Sequence, residues 1–380
     1  MADAAHHLVH GMGEALETPS WPAITAAEAE AILVRFPAAG RVLSLNWHSP
    51  RPFSAATLFQ ASRGAFLLKR HHVRLRTPDA LAEEHGFIAH LRAAGVPVPD
   101  ILLSREGAGA VVEGDWSYEL HRSAAGADLY RDRASWTPFL SHAHAHAAGA
   151  ALARLHRAAR DYDAPARLPH PLVASFTILP AADPLAAADA YVAARPALAA
   201  FLADRPWQAE LARLFGALGA GLAERLAGQP SLWTHNDWHP SNLLWADDGT
   251  VRTVFDFGLA DRSCALHDLA TAIERTAIAW LRLGEGQDDG IADAGAARAL
   301  LAGYRSELPL AAADIETIAR LLPLVHVEFA LSEVDYFAGV LADRDHAVLA
   351  WEGYLIGHAD WFLSGAGRDF LRQLGGAAAS

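Results

Sequence analysis

Cysteine is almost missing: Cys264 is the single thiol in 380 residues, so no intrachain disulfide can form, and a reducing compartment suits the chain. Long apolar runs are missing too. No uncharged stretch reaches the ~18 residues that a helical membrane span needs, so none is expected. Basic charge is in short supply, with 31 Lys and Arg against 44 Asp and Glu and a formal net charge of -13. A polyanion such as nucleic acid would meet a repulsive surface and is not the expected partner. Met1 to Glu17 carry histidines and acids where a secretory signal has a basic end and an apolar stretch, so a soluble cytoplasmic protein is expected. No internal repeat is visible.

What is present is apolar mass. Hydrophobic residues make up 52% and charged residues 20%, a globular profile, and the length suits two lobes rather than one core. Residues 1–20 read as a tail. In 21–120, Val42–Leu45, Thr57–Ala61 and Ala65–Lys69 are short apolar or alternating runs, with Ser62-Arg63-Gly64 as a turn between the last two. Pro78-Asp79 opens a helix to about Ala94, with Leu81, Glu84, Ile88 and Leu91 on one face. Val111-Val112 and Tyr118–Leu120 add two strand candidates. From 121 to 380 the composition turns to Ala/Leu-rich helix, interrupted by a β-like stretch over Leu232–Asp256. The spacing predicts an α+β fold, a small β-rich lobe followed by a larger helical one.

The chemistry concentrates in Thr234-His-Asn-Asp-Trp-His-Pro-Ser-Asn-Leu-Leu-Trp245, then Asp247-Asp-Gly-Thr250, then Val251-Arg-Thr-Val-Phe-Asp-Phe-Gly258. Leu243–Ala246 and Val251–Phe255 read as two strands joined by a tight Asp-Asp-Gly-Thr turn. Such a hairpin brings Asn242, before its first strand, beside Asp256, after its second. An amide oxygen and a carboxylate held together suit Mg²⁺, a hard cation that takes few protein ligands. Asp237 lies on the loop leading into the same hairpin, where it can accept a hydrogen bond from a substrate hydroxyl and aim it at a phosphorus. Phosphoryl transfer asks mainly for positioning and charge neutralisation.

His235-Asn-Asp-Trp-His-Pro-Ser-Asn242 followed by Asp256-Phe-Gly258 resembles the catalytic-loop and metal-loop pair of kinase-like phosphotransferases, closest to the His-Gly-Asp-x-His-x-x-Asn form of aminoglycoside phosphotransferases, choline kinases and homoserine kinases. The resemblance implies a protein-kinase-like two-lobed fold, with ATP and Mg²⁺ as cofactors and a small hydroxylated acceptor. It makes Asp237 the catalytic base, Asn242 and Asp256 the Mg²⁺ ligands, and His239 a neighbour of the transferring phosphate. In the small lobe it implies that Lys69, ending an apolar strand, pairs with a glutamate of the following helix to hold the ATP phosphates; Glu84, on the apolar face, is preferred to its rival Glu83. Leu120 and His121 then belong to the hinge whose backbone meets adenine. Glu328, Glu333 and Asp335, crowded on one late helix, are the candidate acceptor contacts; a solvated helix face is the competing reading.

Only twelve positions (268 − 256) separate Asp256 from Asp268, and the Ala-Pro-Glu segment with which protein kinases hold a peptide is absent. This favours a small-molecule acceptor. A bacterial stress-response-type Ser/Thr kinase and a nucleotide-binding regulator without catalysis are the alternatives. By the resemblance, Asp268 stands where the family keeps a buried aspartate that braces the catalytic loop; an ordinary acid at a helix N-terminus is the other reading. Two departures stand out. The expected phosphate-covering loop, Asn46 to Ser54, has no glycine and two prolines, which leaves GTP open as donor, and Asn236 replaces the usual glycine. His142, His144 and His146 read as a solvated helix face, His71-His72 as surface, and Trp351 and Trp361 as core.

Overall fold

The computed structural model describes residues 7–10, 15–286 and 288–376. They divide into two compact units: one runs up to Asp128 and includes Arg252–Phe255, and the other holds 129–251 and the remainder from Asp256. No single helix among the described residues is long and apolar enough to cross a membrane.

The first unit is built on antiparallel strands β1 (Val42–His48), β2 (Ala55–Ala61), β3 (Gly64–His72), β4 (Asp100–Ile101), β5 (Ala110–Glu113) and β6 (Trp116–Arg122). Their order is β1-β2-β3-β6-β4, with β5 also pairing to β6. Ser62 and Arg63 turn the β2–β3 hairpin, with Ala61 opposite Gly64. The strands run further than the apolar runs suggest, because ladder pairing continues through His48, His72 and Arg122 once the neighbouring strand is present. The described part of the expected tail is not loose: Val9–His10 pairs with Leu16–Glu17, and Val9 is buried.

Helix α1 (Ala26–Leu33) starts at a capping box between Thr25 and Glu28. Helix α2 (Pro78–Ala93) has Thr77 as N-cap, its hydroxyl accepting from the Ala80 amide, and Pro78 in the first turn, where no backbone donor is lost. Its buried stripe is Leu81, Glu84, Phe87, Ile88 and Leu91. Each large apolar member contributes about 1.5–3 kcal/mol by leaving water. Glu84 therefore sits on an otherwise apolar face.

The second unit is mostly helical. The helices that matter for the site are α3 (His142–Ala159), α4 (Ala265–Thr276), α5 (Ala294–Arg305) and α6 (Val327–Asp335). α3 and α5 approach through glycines. A Cβ on Gly149 would strike the Leu300 carbonyl, and one on Gly303 the His146 carbonyl. Four short strands interrupt the helices along the chain: β7 (Ser231–Thr234), β8 (Leu243–Trp245), β9 (Val251–Val254), which from Arg252 onward counts with the first unit, and β10 (Asp261–Cys264). β8 pairs with β9, closed by Gly249 at φ +80, a left-handed conformation that glycine adopts without steric cost. β10 returns antiparallel to β7 with Asp261 opposite Thr234, a pairing that the polar Asp-Arg-Ser-Cys run does not announce. Trp351 and Trp361 are core residues.

Candidate active site

The loop from His235 to Asn242 leaves β7 and enters β8 through a short 3-10 turn at Pro240–Asn242. Asp268, in the first turn of α4, holds its beginning. One carboxylate oxygen accepts the His235 amide at 2.9 Å and the other the Asn236 amide at 2.8 Å. His156 of α3 adds a third contact at 3.0 Å. Burial pushes the Asp268 carboxyl up, but the bonds and charge of His156 and His235 outweigh it and leave the group below its ordinary range. Asp268 is thus a buried brace ionised at neutral pH, not an ordinary helix-terminal acid.

Asn236 lies at φ 58. Among residues with a Cβ, asparagine tolerates this region best, which explains how it can stand where the related motif has glycine. Its side chain fastens the turn, accepting from Thr234 Oγ1 at 2.8 Å and donating to the Leu259 carbonyl at 3.3 Å. That second bond ties the loop to the Asp256-Phe-Gly258 segment, as does Phe257, which is buried with its ring 4.8 Å from that of His235. Asp256 is at φ 59, a second strained non-glycine position beside the loop.

Asp237 follows, with its carboxylate gripped on both oxygens. Asn242 Nδ2 donates to Oδ2 at 3.0 Å and to the Asp237 carbonyl at 2.9 Å. Arg275 Nη1 donates to Oδ1, and His239 Nε2 stands 3.3 Å from that oxygen. Ser241 orients His239 through Nδ1 at 2.9 Å. The guanidinium of Arg275 is buried between Trp136 and Phe329, 4.8 and 4.9 Å from the ring centroids. With its NH₂ spent on Asp237, Asn242 has its amide oxygen directed elsewhere. An amide oxygen and a carboxylate, the donors that Asn242 and Asp256 carry, are of the hard type that Mg²⁺ takes.

In the first unit, Lys69 of β3 lies opposite Glu119 of β6, with Nζ 3.5 Å from Oε1. Both are buried, as is Glu84. Leu120 and His121 do not lie in a connecting segment. They sit inside β6, paired with Leu68 and Leu67 on one side, and Leu102 N donates to the Leu120 carbonyl at 2.8 Å. Both residues pair within the sheet on two sides, Leu120 through its carbonyl to Leu102 and His121 opposite Ile101.

The late acids also need correction. Glu328, Glu333 and Asp335 form no solvated face. Glu328 is buried, and its carboxylate accepts from Ser175, from both the amide and hydroxyl of Thr177, and from the Ile178 amide; it fastens a loop and has no capacity left for an acceptor. Asp335 accepts from the Leu198 amide at 3.2 Å. Glu333 is fully buried, and neither carboxylate oxygen has a hydrogen-bond partner among the described residues. Nor is the histidine run of α3 simply solvated: His144 stacks on Trp245 at 4.3 Å, and His142 reaches Asp293 at 2.9 Å.

Sequence reasoning missed Arg275 and Glu119. Arg275 is seven positions after Asp268, two helical turns along the same face, a spacing that could have flagged it. For Glu119 the signal was the company it keeps: Lys69 is the only lysine in the chain, so its acidic partner is worth seeking on the adjacent strand.

A profile of the phosphotransferase enzyme family matches residues 53–310, more than half of the chain and all of the segments just described from Lys69 to Arg275. The chain belongs to the phosphotransferase enzyme family. Among curated relatives, it is 30% identical over 125 residues to a homoserine kinase of Azorhizobium caulinodans, covering 31% of this chain and 36% of the relative. It is 31% identical over 107 residues to a homoserine kinase of Caulobacter sp. strain K31, covering 28% and 31%. These matches span about a third of those relatives. Solved structures share the phosphotransferase fold along nearly the whole chain. The microcompartment-associated aminopropanol kinase aligns with TM-score 0.55 and 20% identity over 92% of this chain and 99% of its own. An aminoglycoside phosphotransferase from Alicyclobacillus acidocaldarius aligns with TM-score 0.52 and 15% identity over 92% and 96%. Amicoumacin kinase, solved in complex with AMP-PNP, Ca²⁺ and Ami, aligns with TM-score 0.53 and 14% identity over 92% of both chains. The α+β, kinase-like fold expected from sequence is the fold of these family members.

Proposed function

We propose that this phosphotransferase moves the γ-phosphoryl group of ATP to the hydroxyl of a small amino-bearing metabolite, a hydroxy amino acid or an amino alcohol. The observation that carries the reading is Asp237, a partly accessible carboxylate held by Asn242 and Arg275 on a loop braced by Asp268. Held in that way, Asp237 presents a fixed acceptor for the proton of an incoming hydroxyl and aligns its oxygen for in-line attack. His239, fixed through Ser241, supplies a second donor beside the same carboxylate. Asn242 and Asp256 are the proposed Mg²⁺ ligands, and Lys69 with Glu84 the proposed phosphate-positioning pair. Mg²⁺, when bound, neutralises charge on the phosphate oxygens. The likeness to homoserine kinases supports an amino-acid acceptor, and the net charge of -13 agrees with a substrate that carries an amine.

Asp237→Asn is expected to lower turnover roughly 10²- to 10⁴-fold while ATP still binds in calorimetry. Unchanged turnover would remove Asp237 from the chemistry. A panel of homoserine, aminopropanol, serine, choline and aminoglycosides, followed by ATP consumption, identifies the acceptor. Tight nucleotide binding with a silent panel would favour the regulator that the glycine-free loop at 46–54 suggests.

A further inference from the structure

Glu119 is an unusual meeting point. It is fully buried, and four cationic or protonatable groups of the first unit converge on it. Lys69 Nζ and His71 Nε2 approach Oε1 at 3.5 and 3.2 Å. His85 Nε2 and His121 Nε2 both approach the other oxygen, Oε2, at 2.7 and 2.9 Å. His71, expected at the surface, is buried. The catalytic reading uses Lys69 but gives no work to the three imidazoles.

We propose that His85, Glu119 and His121 form a binding site for a borderline transition-metal ion, Zn²⁺ or one of similar chemistry. The three ligand atoms all lie within 4.8 Å of one another. Two imidazole nitrogens and one carboxylate oxygen match the donor types and number of a zinc site that keeps a fourth position open. Such a set selects zinc-like ions over Mg²⁺, which prefers oxygen alone. Metal–ligand bonds of about 2.0–2.2 Å in a tetrahedron place ligand atoms roughly 3.3–3.5 Å apart, so His85 would move back from Oε2 by about 0.7 Å and His121 by about 0.5 Å. Each imidazole would carry its proton on Nδ1, freeing Nε2 for the ion, and a doubly protonated ring would release one proton on binding. Lys69 and His71 already hold Oε1, which orients the carboxylate so that Oε2 faces the two rings. The backbone leaves room for this. A Cβ on Gly109 would collide with His85 Nδ1, so glycine there is what lets the His85 ring reach Glu119.

The site is tested with the full-length, chelator-treated chain titrated with Co²⁺ alone, reading the visible d–d absorption of a four-coordinate ion. A saturable band that Zn²⁺ displaces is expected. His85→Gln and His121→Gln should each weaken Co²⁺ binding by more than about tenfold, since even outer-shell partners of metal ligands cost 10–100-fold. Gly109→Ala should weaken it without removing a ligand, and Asp237→Asn should leave it intact, with circular dichroism confirming that each variant folds. Absence of the band, or a band that survives the His85/His121 double variant, overturns the proposal. The readout involves no phosphoryl transfer, so it stands or falls separately from the kinase reading.

Discussion

Lys69 offers a chemical test that few proteins allow. Because it is the only lysine, an amine-directed acylating reagent has just one side chain to modify, with the terminal amine as the only other primary amine. Acylation at Lys69 is expected to abolish activity, and saturating Mg·ATP should protect; mass spectrometry of the labelled peptide with and without nucleotide reads both. Equal labelling in the two conditions would separate Lys69 from the phosphates. Arg275 makes a second residue-scale prediction. It is buried against Trp136 and Phe329 and donates to Asp237, so Arg275→Met leaves the Asp237 carboxylate without that guanidinium. Breaking such a pair costs about 3–5 kcal/mol of stability. Turnover should fall about tenfold or more, with the apparent KM for ATP little changed. Arg275→Lys would restore charge but not the planar fork, and should recover stability better than rate.

At the scale of elements, the beginning of the 235–242 loop is held by helices. Asp268 belongs to α4 and His156 to α3, and α3 is positioned by its glycine contact with α5. Gly149→Ala would push a methyl group into the Leu300 carbonyl, and Gly303→Ala one into the His146 carbonyl. Overpacking of this kind costs about 1–3 kcal/mol. Either substitution is expected to lower both the melting temperature and turnover, although neither residue approaches the site. Full activity in a destabilised Gly149→Ala chain would show that the brace tolerates displacement of α3. The amphipathic face of α2 was legible in sequence, Glu84 included, because a helix repeats every 3.6 residues and reports its own buried side. The β7–β10 pairing was not, because its partners are 27 (261 − 234) to 33 (264 − 231) positions apart and the second strand is polar.

Over the whole molecule, buried acids and histidines in the second unit set opposing limits on stability. Burial pushes the Glu333 carboxyl up to about 8 and that of Glu274 up to about 7, against an ordinary 4.5. The folded chain therefore holds these protons more tightly than the unfolded chain. Their contribution is complete below about pH 4.5 and is lost as pH rises through 7 and 8. Burial also drives the His326 and His267 imidazoles down to about 4 from 6.5, so their contribution is present above pH 6.5 and lost as pH falls towards 4. With two groups of each kind the opposing slopes cancel between about pH 4.5 and 6.5, so the melting temperature should be highest over that range and fall above it. Glu333→Gln should leave the acid side unchanged and gain about 1–3 kcal/mol above pH 8, because an unpartnered buried carboxylate no longer has to ionise. A scan of melting temperature against pH that is flat for both chains would count against this account.

The sequence alone carried the local part of this protein: the two-part composition, the α2 stripe, the β8–β9 hairpin and the spacing of Asp237, Asn242 and Asp256, all within a few residues or turns of one another. Tertiary structure decided which charges meet. Arg275 reaches Asp237, His156 reaches Asp268, three histidines and the sole lysine share Glu119, and Glu328 is consumed by the 175–178 loop. Periodicity reports which face of an element is buried, but the charge opposite that face comes from distant chain, and only the packed fold brings it within hydrogen-bonding reach.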